Sequence, residues 1–89
     1  MATKLTITEK QILGFLIYPE TFHSILEESG MPRGSLRDDV MNLVSRGYLV
    51  VYDREGKHPL SPFYDTDNLE DFSFKATKLG LDAIRNDNI

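Results

Sequence analysis

Apolar residues recur at helical spacing in three successive stretches before the period shortens to two. Ile12, Leu13, Phe15 and Leu16 form one stripe, which predicts a helix over Glu9 to Ile17. Thr8 stands at its N-cap with Gln11 three residues on, the form of a capping box, and Pro19 stops it near Tyr18. A second helix fits Thr21 to Ser29: Thr21 caps it, Phe22, Ile25 and Leu26 supply its stripe, and Gly30 offers a left-handed end. After Met31, Pro32 suits a first helical turn, and Leu36, Val40, Leu43 and Val44 recur at i, i+4, i+7 and i+8. Arg46 favours the last turn of this third helix and Gly47 ends it. Two short helices across a glycine-containing turn make a helix-turn-helix shape.

From Tyr48 to Tyr52 the residues are β-branched and aromatic, which predicts a strand. Asp53-Arg54-Glu55-Gly56-Lys57 reads as a turn, with Gly56 available for positive φ. His58 to Leu69, with Pro59, Pro62 and several acids, reads as a loop without regular structure. Phe72 to Ala76 alternates, predicting a strand that pairs back on the first with Phe72, Phe74 and Ala76 inward. Thr77 caps a last helix from Lys78 to about Arg85 that buries Leu81 and Ile84, and residues 86–89 fray. No internal repeat or low-complexity segment interrupts this order.

Composition narrows the class. Eighty-nine residues leave room for one domain, and the 40% apolar and 27% charged fractions are those of a globular chain. Without cysteine there is no disulfide, thiolate metal site or thiol nucleophile. No apolar run approaches the ~18 residues of a membrane span, and the first four residues lack the apolar stretch of a signal peptide, so a cytoplasmic protein is expected. The net charge of −4 opposes general affinity for nucleic acid, which rests on phosphate neutralisation. It divides as −1 over residues 1–47 and −3 over residues 48–89, where Asp65, Asp67, Glu70 and Asp71 crowd together. Any basic surface must be local.

Two stretches resemble a known family. Gly34 through Leu49, containing Leu43-Val44-Ser45-Arg46-Gly47-Tyr48-Leu49, is similar to the recognition helix of winged-helix regulators running through L-x-x-x-G-x-L/I/V into the wing. Phe74-Lys75-Ala76-Thr77-Lys78-Leu79-Gly80 is similar to the Y-x-L-T-x-x-G that ends the wing, with Ala76 in place of leucine. The likeness covers residues 8–85 and points to small bacterial, archaeal and phage regulators of the MarR and PadR kind. It implies an α+β fold: a three-helix bundle, a two-stranded β-hairpin wing and a C-terminal helix in one domain over residues 1–89, with residues 53–70 as the wing. It also implies double-stranded DNA as partner, the third helix in the major groove, and a homodimer on a two-fold site.

Carried onto this chain, the resemblance makes Arg33, Ser35, Arg37, Met41 and Asn42 the helix contacts, with Arg54 and Lys57 on the turn gripping phosphate. Arg33 and Arg37 lie four apart on one face, and arginine pairs bidentately with guanine. A plainer reading stands beside it: both arginines solvate the helix and pair with Asp38, Glu27 or Glu28. The acidic loop reads either as a solvated segment or as a dock for a basic protein partner. Asp65-x-Asp67 begins like a calcium loop, but Glu70 and Ala76 occupy the places that need glycine and glutamate. Phe63 and Tyr64 either fold back on the core or a partner subunit, or wedge against DNA. His23 and His58 are isolated, and the adjacent pairs Glu27-Glu28 and Asp38-Asp39 point apart on a helix, so no catalytic set converges. No enzyme, cofactor, metal or membrane association is expected. The competing function is a winged-helix adaptor that binds protein through an acidic surface.

Overall fold

A computed structural model describes residues 5–60 and 67–87. Within them the chain runs α1 (Ile7–Phe15), β1 (Glu20–Thr21), α2 (Phe22–Ser29), α3 (Arg33–Ser45), β2 (Leu49–Asp53), a 3-10 turn (Leu69–Asp71), β3 (Phe72–Ala76) and α4 (Lys78–Asp87). The architecture is α+β, four helices with a small antiparallel sheet in the order β1-β3-β2. The expectations for Phe63, Tyr64, Asp65, Asn88 and Ile89 lie outside the described residues.

The three predicted stripes meet in one core. Ile12, Leu13 and Leu16 of the first stripe, Phe22 and Ile25 of the second, and Leu36, Val40 and Leu43 of the third are each fully buried. The sheet closes it with Leu49 and Val51 from β2 and Phe74 and Ala76 from β3. β2 and β3 pair from Leu49↔Ala76 to Asp53↔Phe72, the register that points Val51 and Phe74 inward together. Among the described residues no helix is long and apolar enough to cross a membrane.

Several expectations are corrected. Phe72, expected inward, is only half-buried, as are Leu81 and Ile84 of α4. The sheet has three strands rather than two, because Glu20 and Thr21 pair with Phe74 and Ser73 along the free edge of β3. A two-residue polar strand carries no alternation to read. α1 begins two residues earlier than expected and ends at Phe15, not Ile17. Its cap is Thr6, whose hydroxyl accepts from the Glu9 amide at 3.1 Å while Glu9 Oε1 accepts from the Thr6 amide at 2.9 Å. Leu16 leaves helical geometry at the other end, and its carbonyl accepts from the Ala76 amide at 2.8 Å, tying α1 to the end of β3. Finally, α4 continues past Arg85 to Asp87.

The glycine stop signals act as read, whereas α1 ends well before Pro19. Gly30 and Gly47 take left-handed conformations, φ 66° and 81°, at the ends of α2 and α3. At Gly47 the closure is a paired one: the Gly47 amide donates to Val44 O at 3.0 Å and the Tyr48 amide to Leu43 O at 2.9 Å.

The two stretches that carried the family resemblance touch each other. Thr77 donates its hydroxyl to Gly47 O at 2.8 Å and its amide to Tyr48 O at 3.0 Å, and its hydroxyl oxygen accepts from the Gly80 amide at 3.1 Å as the cap of α4. Gly80 then passes against the Tyr48 carbonyl so closely that a Cβ there would lie 2.3 Å from Tyr48 O and 3.1 Å from Leu13 Cδ2. Both motifs therefore fasten α4 to the end of α3. Gly80→Ala is expected to cost about 3 kcal/mol in urea unfolding, since backbone must move to admit the methyl. Gly14→Ala is its control. It sits in helix α1 with nothing within 4 Å of the new methyl and should be neutral or stabilising by up to ~1 kcal/mol.

Candidate nucleic-acid interface

α3 buries one side against the core and turns Arg33, Gly34 and Ser35 outward at its start, with Arg37 half-buried one turn on. Pro32 precedes the helix and gives it no side-chain cap. The Arg33 side chain has two partners. Its guanidinium lies 5.3 Å from the centre of the Phe22 ring and forms an ion pair with Glu70. Hydrogen bonding to Glu70 raises the Arg33 pKa, and the same bond holds the Glu70 carboxyl below the usual carboxylate range. Both groups are charged at neutral pH.

Arg37 has two acidic neighbours at 3.9 Å, Asp38 on its own helix and Asp67 from the segment before β3. Of the intrahelical and α2 partners expected for these arginines, only Asp38 is in place. Glu27 instead lies 3.4 Å from His23 one turn earlier on α2. The main partners come from the acidic segment, which is thus not simply solvated. Leu69 is its anchor: at 2% exposure it is part of the core, and the 3-10 turn around it holds Glu70 over the start of α3.

The second half of α3 faces a different network. Asn42 Nδ2 donates to Glu9 Oε2 at 3.1 Å, and Arg46 reaches the same oxygen at 3.2 Å with its guanidinium 4.8 Å from the Tyr48 ring centre. Thr8, the expected cap of α1, donates to Asp39 Oδ2 at 3.0 Å instead. Asn42, one of the predicted contacts, is therefore engaged with α1, while Met41 is half-buried beside it. Glu9 was not singled out by sequence reasoning, although it lies three, four and seven residues before Ile12, Leu13 and Leu16 on the buried stripe.

Arg54 and Lys57 stand exposed on the turn after β2. The turn is fixed by Asp53, whose amide donates to His58 O at 2.9 Å and whose carboxylate accepts from the Lys57 amide at 2.9 Å and contacts His58 Nδ1 at 2.9 Å. The Lys57 amide foremost, and the His58 ring after it, lower the Asp53 pKa. The chain then returns along the outer edge of β2, with the Leu60 amide donating to Val51 O at 2.7 Å. Ser73 is buried in β3 and donates its hydroxyl to Arg54 O at 2.8 Å. Gly56 lies against Pro19, where a Cβ would come within 3.0 Å of Pro19 Cβ. The two pairs of cations are thus held by different neighbours: Arg33 and Arg37 by the 67–70 segment, Arg54 and Lys57 by a turn seated on the α1–β1 connection.

The described residues contain no group of three or more His, Asp or Glu placed to hold a metal ion. Comparison of the chain with protein-family models, curated proteins and solved structures finds no match.

Proposed function

We propose that the chain is a winged-helix protein that binds double-stranded DNA as a small transcriptional regulator. The observation that carries this reading is the order of the elements around an outward-facing α3. A short strand enters between α1 and α2, and α2 and α3 form the helix-turn-helix. β3 lies between β1 and β2, and α3 directs Arg33, Ser35 and Arg37 away from the core. In this reading α3 enters the major groove by its N-terminal half and the 53–57 turn, with Arg54 and Lys57, meets the phosphate backbone. Asn42 serves α1 rather than a base. A module of this size offers roughly 600–1,000 Å² to DNA, so a homodimer on half-sites about one helical turn apart supplies useful affinity.

The ion pairs on Arg33 and Arg37, with the net charge of −4, favour a second reading: an adaptor that binds a basic protein through its acidic surface. Titration of Arg33→Ala and Arg37→Ala against a random-sequence duplex pool at several salt concentrations separates the two. A lost phosphate contact weakens every sequence alike and flattens the slope of log K against log salt by about 0.9. A lost guanine contact costs roughly 1–3 kcal/mol on the preferred site and relaxes one base position. Absence of salt-dependent binding both by the unmodified protein and by a variant with Asp67 and Glu70 neutralised, together with a monomer in sedimentation with and without duplex, ends the DNA reading and leaves the adaptor.

A further inference from the structure

We propose that Glu70 and Asp67 are a built-in competitor for DNA phosphate, occupying the arginines of α3 until a duplex exchanges for them. The inference rests on the DNA-binding reading and adds its regulation. Its basis is position. Glu70 and Asp67 come from one short segment, yet they meet two arginines that lie one turn apart on α3. The segment is held in place by the buried Leu69 and by the Asp71 amide bonding back to Asn68 O at 3.0 Å. The Arg33 guanidinium lies 5.3 Å from the centre of the Phe22 ring while it pairs with the Glu70 carboxylate.

All of this happens in partial contact with water. The side chains of Arg33 and Glu70 are 53% and 43% exposed, and those of Arg37 and Asp67 are 40% and 88% exposed. Exposed pairs of this kind are weak, so a phosphate with several oxygens can displace them without unfolding anything. With the two carboxylates in place, the outer face formed by Arg33, Arg37 and Asp38 has one more acid than base. Without them it has one more base than acid.

Exchange of carboxylate for phosphate also changes the counterion balance. An arginine already neutralised by the protein cannot release as many cations from DNA in net terms, because the freed carboxylate gathers cations of its own. The unmodified protein should therefore show a shallower salt dependence than its cationic contacts alone would give.

The experiment is a duplex titration at several salt concentrations with Asp67→Asn and Glu70→Gln, singly and together. Glu20→Gln with Asp82→Asn, on β1 and α4, serves as a control of equal charge change. Thermal melting of each variant establishes folding. The double variant should bind about three- to tenfold tighter at low salt, with a slope steeper by up to ~1.8, while the control pair changes little. Single variants that each move part of the way support the same conclusion if the double variant folds poorly. If the unmodified protein binds duplex and the double variant binds no tighter with the same slope, the competitor idea falls and DNA binding stands. It falls equally if the control pair gains as much, since net charge then explains the effect. If neither the unmodified protein nor the double variant binds any duplex, the DNA reading itself falls and takes this inference with it. Binding that appears only in the double variant would be its strongest support.

Discussion

Truncation of Leu43 to alanine is expected to cost roughly 2–5 kcal/mol, a large fraction of the ~5–15 kcal/mol that holds a small domain together. Leu43 is fully buried on α3, in line with Leu36 and Val40, where the helix packs on the core. Its backbone also matters: the Leu43 carbonyl accepts from the Tyr48 amide at 2.9 Å in the closure of the helix. The mutation leaves that bond alone and removes only side-chain carbons, so the loss reads packing. The neighbouring Val44 is half-buried at the edge of the core, and its truncation should cost distinctly less. Urea unfolding with an unchanged m-value checks the pair. A cost below ~1 kcal/mol for Leu43, or a larger one for Val44, would mean that α3 is rotated from the assignment. Arg33 and Arg37 would then no longer share the outward face.

Most of the framework is legible along the chain because its signals are local. The i, i+4, i+7 recurrence of Leu36, Val40 and Leu43 needs only the helical repeat, and Gly47 at φ 81° needs only the geometry of a helix end. Phe72, Phe74 and Ala76 read as a strand by alternation and lie in β3, although Phe72 is only half-buried there and Ser73 is buried on the other side. What escaped reading depends on distant partners. β1 exists because β3 has an edge to pair with, not because Glu20 and Thr21 favour a strand. Sequence reasoning misplaces the cap of α1 at Thr8, although Thr6-x-x-Glu9 fits a capping box as well as Thr8-x-x-Gln11 does. Tertiary structure decided it: Glu9 at the third helical position closes the cap with one oxygen and meets Asn42 and Arg46 with the other.

The candidate interface divides in the same way. That Arg33 and Arg37 share an outward face follows from the same helical repeat that buries Leu36 and Val40. Their pairing with Glu70 and Asp67 spans thirty residues or more of chain and depends on the 67–70 segment, which has no periodicity, lying against α3. Sequence reasoning held the arginines and the acidic cluster as separate features with opposing consequences for DNA. In the fold Glu70 and Asp67 of that cluster lie against the two arginines, so acids and bases share one surface.

Glu9→Ala should be among the most destabilising single changes, at about 2–4 kcal/mol, because one carboxylate serves three donors from two helices. Glu9 is 4% exposed, and its two oxygens accept from the Thr6 amide at 2.9 Å, Asn42 Nδ2 at 3.1 Å and Arg46 at 3.2 Å. Alanine deprives all three at once and opens space between α1 and α3. Arg46, at 21% side-chain exposure, recovers part of the loss by turning toward water, which keeps the expected cost below the upper end for a fully buried ion pair. Glu9→Gln retains the shape but replaces one acceptor oxygen with a donor, facing either the Thr6 amide or the Asn42–Arg46 side. It should therefore still cost about 1–3 kcal/mol. A thermodynamic cycle with Arg46→Met isolates the pair: methionine keeps much of the packing on Tyr48 without the charge. If the carboxylate holds Arg46 as described, the double variant is less damaged than the two single costs added, by at least ~1 kcal/mol. Simple additivity would show that Arg46 draws nothing from Glu9, leaving the Asn42–Glu9 and Thr8–Asp39 bonds and the apolar stripe to set α3 against α1.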